Sequence, residues 1–179
     1  CHGGPQPTQR VLELALKLRS ITHGKALLII KDRLDVALAA GADGLHLPQD
    51  SLPVHHARRI VPPGLLVGRS VHDLSSASIA AGEGASYLVL GTIFPTSSKP
   101  GAATAGISLI SAVTSRVHTP VLAIGGVDSR NIAAVIGAGA QGVAVVSAIL
   151  GAPDPERAAR EMKQSLVAIW MAWKAVVER

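Results

Sequence analysis

The chain has 179 residues, the length of one domain, and 48% of them are hydrophobic, 16% charged and only 2% aromatic. Its formal charge of +5 comes from scattered lysines and arginines with almost no aromatic rings to stack on bases, so it is assigned to attracting small anions and not to nucleic acid. A single cysteine, Cys1, excludes an internal disulfide and a cysteine-rich metal site, and the opening Cys1-His-Gly-Gly-Pro5 lacks the charged-then-apolar pattern of a secretory leader, which makes the cytoplasm the expected compartment.

In chain order, the apolar spacing predicts a helix at 8–20, a strand at 26–31, a helix at 34–40 and a strand at 44–47. A helix at 54–60, a strand at 65–70, a helix at 75–83 and a strand at 87–91 follow. The second half reads as a helix at 107–114, a strand at 121–124, a helix at 129–138 and a strand at 142–147. An amphipathic helix at 155–177 closes the chain, with Asp154 as its N-cap ahead of Pro155. The stretch 131–153 is uncharged and long enough to cross a bilayer, but its glycines, Gln141 and Ser147 divide it into helix, turn and buried strand, so no membrane span is expected.

Three segments share one plan: Gly41-Ala-Asp-Gly-Leu-His-Leu47, Gly84-Ala-Ser-Tyr-Leu-Val-Leu90 and Gly139-Ala-Gln-Gly-Val-Ala-Val145. Each reads as a helix ending at a left-handed glycine, followed two residues later by a strand. Repeated αβ junctions of this kind imply parallel strands with crossover helices outside. The expected fold is α/β of the TIM (β/α)8-barrel type, in one domain over 1–179. Six strands are two short of the eight that close such a barrel, so the first one or two β/α units are read as lacking. Unpaired edges left by that gap would favour a homo-oligomer.

The chemistry-bearing motifs all follow predicted strands. Gly91-Thr-Ile-Phe-Pro-Thr-Ser-Ser-Lys-Pro-Gly101 combines the hydroxyls of Thr96, Ser97 and Ser98 with the compact cation of Lys99, in a loop turned by prolines and glycine. Gly125-Gly126 ends the next strand, and Val146-Ser147 ends the one after it. Glycines at a strand-to-loop turn let backbone N–H groups approach an anion, and barrels of this type often hold phosphate between their last two loops.

Taken together, these segments resemble the thiamine phosphate synthase/TenI superfamily over most of the chain. Also carrying the resemblance are Lys31-Asp-Arg-Leu-Asp-Val-Ala37, Ala42-Asp-Gly-Leu-His-Leu-Pro-Gln49 and Gly68-Arg-Ser-Val-His72. The resemblance implies one of two activities. A synthase joins hydroxymethylpyrimidine diphosphate to thiazole phosphate, releasing pyrophosphate with the help of Mg2+, whereas a thiazole tautomerase moves a proton on the thiazole phosphate carboxylate. On the thiazole side it implies that Thr96, Ser97, Ser98, Gly125, Gly126, Val146 and Ser147 bind phosphate. On the pyrimidine side it implies Ser70 and Lys99, with Lys99 close to the chemistry.

The metal side departs from the synthase pattern. Asp32 matches one metal-binding aspartate, but Ser51 stands at the second position, Lys31 replaces an asparagine, and Asp50 is only a neighbour of the matching site. The synthase's cationic diphosphate cluster has no counterpart beyond a remnant at Cys1-His-Gly-Gly4. No cofactor is therefore assigned unless the synthase activity holds, in which case it is Mg2+. These departures, with Ser70-Val71-His72, lead to the expectation of a TenI-like enzyme acting on thiazole phosphate. His72 is its catalytic candidate, His46 is the other histidine considered, and Thr92 stands where the tautomerase histidine would fall. A synthase, and a non-catalytic ligand-binding or regulatory relative, remain as alternatives.

Overall fold

The structure is a computed structural model that describes residues 7–98 and 100–177, without the side chains of 173–177. Six short, mostly aliphatic runs become strands, each with at least one buried residue: β1 (Ile29–Lys31), β2 (Gly44–Leu47), β3 (Leu66–Val71), β4 (Tyr87–Leu90), β5 (Val121–Ile124) and β6 (Gly142–Ala144). All neighbouring pairs are parallel and the strand order is sequential, β1 to β6. The helices alternate with them: α1 (Thr8–Thr22), α2 (Leu34–Ala39), α3 (Val54–Arg58), α4 (Leu74–Gly82), α5 (Gly106–Thr114) and α6 (Ile132–Gly137), then α7 (Ser147–Leu150) and α8 (Pro155–Val177). The result is a parallel half-barrel with six strands among the described residues. The closed eight-stranded barrel is not what these residues form.

The main buried cluster lies between strands β2–β5 and the helices behind them, with Leu45, Leu88, Leu90, Ile110 and Ile132 fully enclosed. A second cluster joins Ala15 of α1 to Ile30 of β1 and to Val36 and Ala37 of α2. Local chemistry sets the helix ends. Asp73 and Ser76 form a reciprocal capping box on α4, and Asp154 accepts from the Arg157 N–H at 3.0 Å, as expected of the cap on α8.

At the three glycine junctions the backbone is left-handed, with φ of 59° at Gly41, 88° at Gly84 and 104° at Gly139. The following alanines send their N–H groups back to Ala37, Ala80 and Val135 at 2.9, 3.0 and 3.4 Å, the closure of a Schellman ending. The third residue of each junction then brackets the start of a neighbouring strand. Asp43, Ser86 and Gln141 donate backbone N–H groups to the carbonyls of Leu28, Val67 and Val121. Their side-chain oxygens accept from the N–H groups of those same residues at 2.6, 3.0 and 2.6 Å. Arg19 reinforces the first bracket through Asp43 at 2.7 Å, and Arg58 the second through Ser86 at 2.6 Å and the Gly84 carbonyl at 2.9 Å.

Three boundaries differ from expectation for one reason, the reach of the neighbouring element. The strand expected at 26–31 begins only at Ile29, where β2 becomes available to pair. The strand expected at 142–147 ends at Ala144, because its partner β5 leaves the ladder at Gly125, whose φ is 100°. The freed Ser147–Leu150 then turns into α7. The helix expected at 129–138 starts at Ile132, since Asp128 first holds a turn by accepting from the Arg130 N–H at 2.9 Å. The uncharged stretch 131–153 resolves into α6, β6 and α7, and no helix among the described residues is long and apolar enough to cross a membrane.

Candidate functional site

Every strand points the same way, so the residues after them gather at one edge and wall a cavity of about 820 Å³. At one end are Gly125, Gly126, Val146 and Ser147, facing Thr96 and Ser98 from the loop after β4. At the other are Lys31 from β1, His46 from β2, Ser70 from β3 and Asp50 from the loop after β2. His72, Gly91 and Thr92 lie along the wall as well.

The glycine end is built by close approach. A Cβ on Gly126 would sit 2.4 Å from the Pro95 carbonyl oxygen, and one on Gly125 would sit 2.5 Å from Thr92 Cγ2. The loop after β4 lies directly on this turn, donating from the Ile93 and Phe94 N–H groups to the Ile124 and Gly125 carbonyls, each at 3.0 Å. From the other side Asn131 Nδ2 donates to the Gly126 carbonyl at 2.9 Å, while its own Oδ1 accepts from the Asp128 N–H at 3.0 Å. The carbonyls of Ile124, Gly125 and Gly126 are thus all engaged within the protein, and backbone N–H groups at a glycine turn of this kind are the donors such a turn can offer to an anion.

The other end is organised around an imidazole. His46 Nε2 and Ser70 Oγ are 2.8 Å apart, and the His46 ring stacks on Tyr87 with centroids 5.8 Å apart at 22°. Tyr87 reaches that ring across Gly68, where any Cβ would lie 2.1 Å from Tyr87 Cζ. The three residues stand in register on adjacent strands, His46 beside Gly68 and Gly68 beside Tyr87. Burial, joined by the charges of Lys31 and Arg69, pushes the His46 imidazole down to about 4, so the ring is neutral at pH 7. Burial likewise raises the Tyr87 phenol to about 12 and keeps it protonated. Arg69 itself is committed to the loop after β2, donating to the carbonyls of Gln49 at 2.7 Å, Ser51 at 3.3 Å and Leu52 at 2.8 Å.

The sequence-derived residues do not all arrive in the cavity. Ser70, His72, Thr96, Ser98, Gly125, Gly126, Val146 and Ser147 line it, whereas Ser97 is exposed and outside its wall. Lys99 and the Cys1–Gly4 segment lie outside the described residues. Asp32 and Ser51 sit off the wall and engage each other, the Ser51 hydroxyl donating to the Asp32 carboxylate, while Asp50 lines the cavity in their place. Asp32 is the one non-glycine residue with positive φ, 59°, among those described. His72 uses Nδ1–H to donate to the Gly91 carbonyl. Sequence reasoning missed Arg69 and Tyr87, which act on residues brought beside them only by the fold, and Asn131, which ties its own loop through Gly126 and Asp128.

A family model described as thiamine monophosphate synthase matches residues 5–149. The chain belongs to that family. A thiamine-phosphate synthase of Methanoculleus marisnigri is 47% identical over 164 residues, covering 90% of this chain and 78% of the relative. A thiamine-phosphate synthase of Gloeobacter violaceus is 45% identical over 153 residues, covering 84% of this chain and 45% of the relative. Among solved structures, the thiamine phosphate pyrophosphorylase of Pyrococcus furiosus superposes with a TM-score of 0.86 at 36% identity, over 93% of this chain and 81% of that one.

This thiamine monophosphate synthase family is one of enzymes, as the sequence led us to expect, and its synthase-named relatives correct the TenI-like assignment. That assignment gave decisive weight to Ser70-Val71-His72 and to the exchanges at 31 and 51. Identity spread over some 150 residues outweighs so few positions, and the exchanges are departures inside a synthase-like frame. With the tautomerase assignment goes the reason for making His72 a proton-transfer residue.

Proposed function

We propose that the chain joins hydroxymethylpyrimidine diphosphate to thiazole phosphate, giving thiamine phosphate and pyrophosphate. The observation that supports this reading is one cavity lined by a glycine turn with hydroxyls and also by a lysine, groups whose chemistry suits two anions. Gly125, Gly126, Val146, Ser147, Thr96 and Ser98 hold the thiazole phosphate through N–H and O–H donors. Ser70, fixed by neutral His46, faces the pyrimidine half, and Lys31, together with Lys99, supplies positive charge for the diphosphate.

In the reaction the thiazole nitrogen's lone pair bonds to the pyrimidine's methylene carbon while that carbon's bond to the diphosphate oxygen breaks. The electron pair leaves with pyrophosphate, and the positive charge ends on the thiazolium ring. No proton has to move. The protein's task is to align the nitrogen with the carbon and to stabilise charge on the leaving group.

The family resemblance implies magnesium, which would neutralise the diphosphate when bound. The residues present do not make the expected pair of carboxylates. Asp32 is engaged by the Ser51 hydroxyl, a hydroxyl is a weaker ligand for a hard cation than a carboxylate, and no group of three or more His, Cys, Asp or Glu placed to hold a metal occurs among the described residues. No step above runs through the ion.

The test is direct. Purified protein given both substrates, with and without magnesium, is expected to form thiamine phosphate and stoichiometric pyrophosphate, read by chromatography. Binding of thiazole phosphate without product would overturn the synthase reading and leave a ligand-binding protein.

A further inference from the structure

We propose that Lys31 anchors the diphosphate group in this chain, so that its pyrophosphate subsite works without a metal held by two carboxylates. The inference rests on the synthase reading and concerns what this chain has done with the metal position that Asp32 and Ser51 fail to provide. Lys31 ends β1 and lines the cavity, where it is the only lysine or arginine among the described lining residues. Its charge reaches the cavity interior, since it is among those felt by the His46 ring.

Nothing described competes for Lys31. No ion pair among the described residues engages it, and the other nearby cation, Arg69, spends its donors on three carbonyls of the 49–52 loop. The acidic side of the usual bargain is correspondingly weak. The Asp32 carboxylate lies off the wall with a serine hydroxyl bonded to it, and Asp50 is the only carboxylate on the wall. An ammonium that shares the cavity wall with a single carboxylate repels a divalent cation and attracts a diphosphate, which is the reverse of a two-carboxylate metal site. An ammonium with three rotatable donors suits an anion whose oxygens spread over two phosphorus centres.

Calorimetry with inorganic pyrophosphate, in EDTA and in magnesium, separates the alternatives without requiring turnover. The wild-type chain is expected to bind pyrophosphate in EDTA within about threefold of its affinity in magnesium. Lys31→Asn should weaken binding in EDTA by at least about tenfold, and Lys31→Arg should keep it within about threefold. Lys31→Asn combined with Ser51→Asp should bind pyrophosphate only when magnesium is present. Circular dichroism checks folding, and the Lys31→Arg variant separates loss of charge from loss of fold. Pyrophosphate binding by the wild type that needs magnesium, or binding in EDTA that Lys31→Asn leaves unchanged, would overturn the proposal. Lys31-dependent pyrophosphate binding in a chain that forms no thiamine phosphate would overturn the synthase reading and leave the anion subsite standing.

Discussion

Gly68 shows how one missing side chain organises a site. It leaves room on β3 for the Tyr87 ring, which supports His46, which in turn holds Ser70. Gly68→Ala puts a methyl group 2.1 Å from Tyr87 Cζ, and either the ring or the backbone must move. We expect a loss of about 1–3 kcal/mol in chemical denaturation, together with weaker pyrimidine diphosphate binding. His46 predicts a pH dependence. Its folded value of about 4 lies below that of an unfolded histidine, so between pH 6.5 and 4 the unfolded chain takes up a proton that the folded chain refuses. Stability should therefore fall across that window as pH is lowered, by at most about 3 kcal/mol. His46→Gln should flatten the slope there, which denaturation at several pH values will read. The phosphate end is best tested at Ser147, which is exposed, because a side chain on Gly126 collides with Pro95 before its charge matters. Ser147→Glu would face the phosphate with a carboxylate, and repulsion of about 4 kcal/mol at 4 Å should raise the Kd for thiazole phosphate by about two to three orders of magnitude. Unchanged affinity in calorimetry would remove Val146-Ser147 from the site.

The elements were legible wherever the cause was local. β2 and β5 carry the expected limits because each is a short run with buried aliphatic residues, Leu45 and Leu47 in one and Val121 and Ala123 in the other, and the glycine junctions were read from spacing alone. What the spacing hid was the role of the third junction residue, since Asp43, Ser86 and Gln141 act on strands far away in sequence. The ends of β1 and β6 were misjudged for the same reason, as each depends on its single neighbour. Ser86 offers the cleanest test of the brackets. Its hydroxyl accepts from the N–H of buried Val67 and receives Arg58. Ser86→Ala strips both partners, and the loss expected in thermal or denaturant unfolding is about 1–3 kcal/mol. A change below about 0.5 kcal/mol would mean that water replaces the hydroxyl at no cost.

Across the whole molecule, the half-barrel presents β1 and β6 as strands with one neighbour each among the described residues. A polypeptide of these 179 residues is expected to self-associate through those edges, giving a concentration-dependent mass in light scattering; a monodisperse monomer would show the edges to be shielded. The glycine-and-hydroxyl end of the cavity was readable because glycines and hydroxyls after strands carry their chemistry in their own identity. The other end was not, for Arg69 and Tyr87 look like ordinary strand residues until three strands lie side by side. The synthase was ranked below the TenI-like enzyme because a few exchanged residues were allowed to outweigh the frame around them.

The junction brackets all lie at the amino-terminal edge of the sheet, opposite the cavity. Folding and chemistry are thus answered for by different ends of the same strands. A lineage can try new side chains at positions such as 31 and 51 without loosening the ties that keep the strands in register, so this architecture tolerates experiments in ligand recognition that would unravel a protein whose scaffold and site shared their residues.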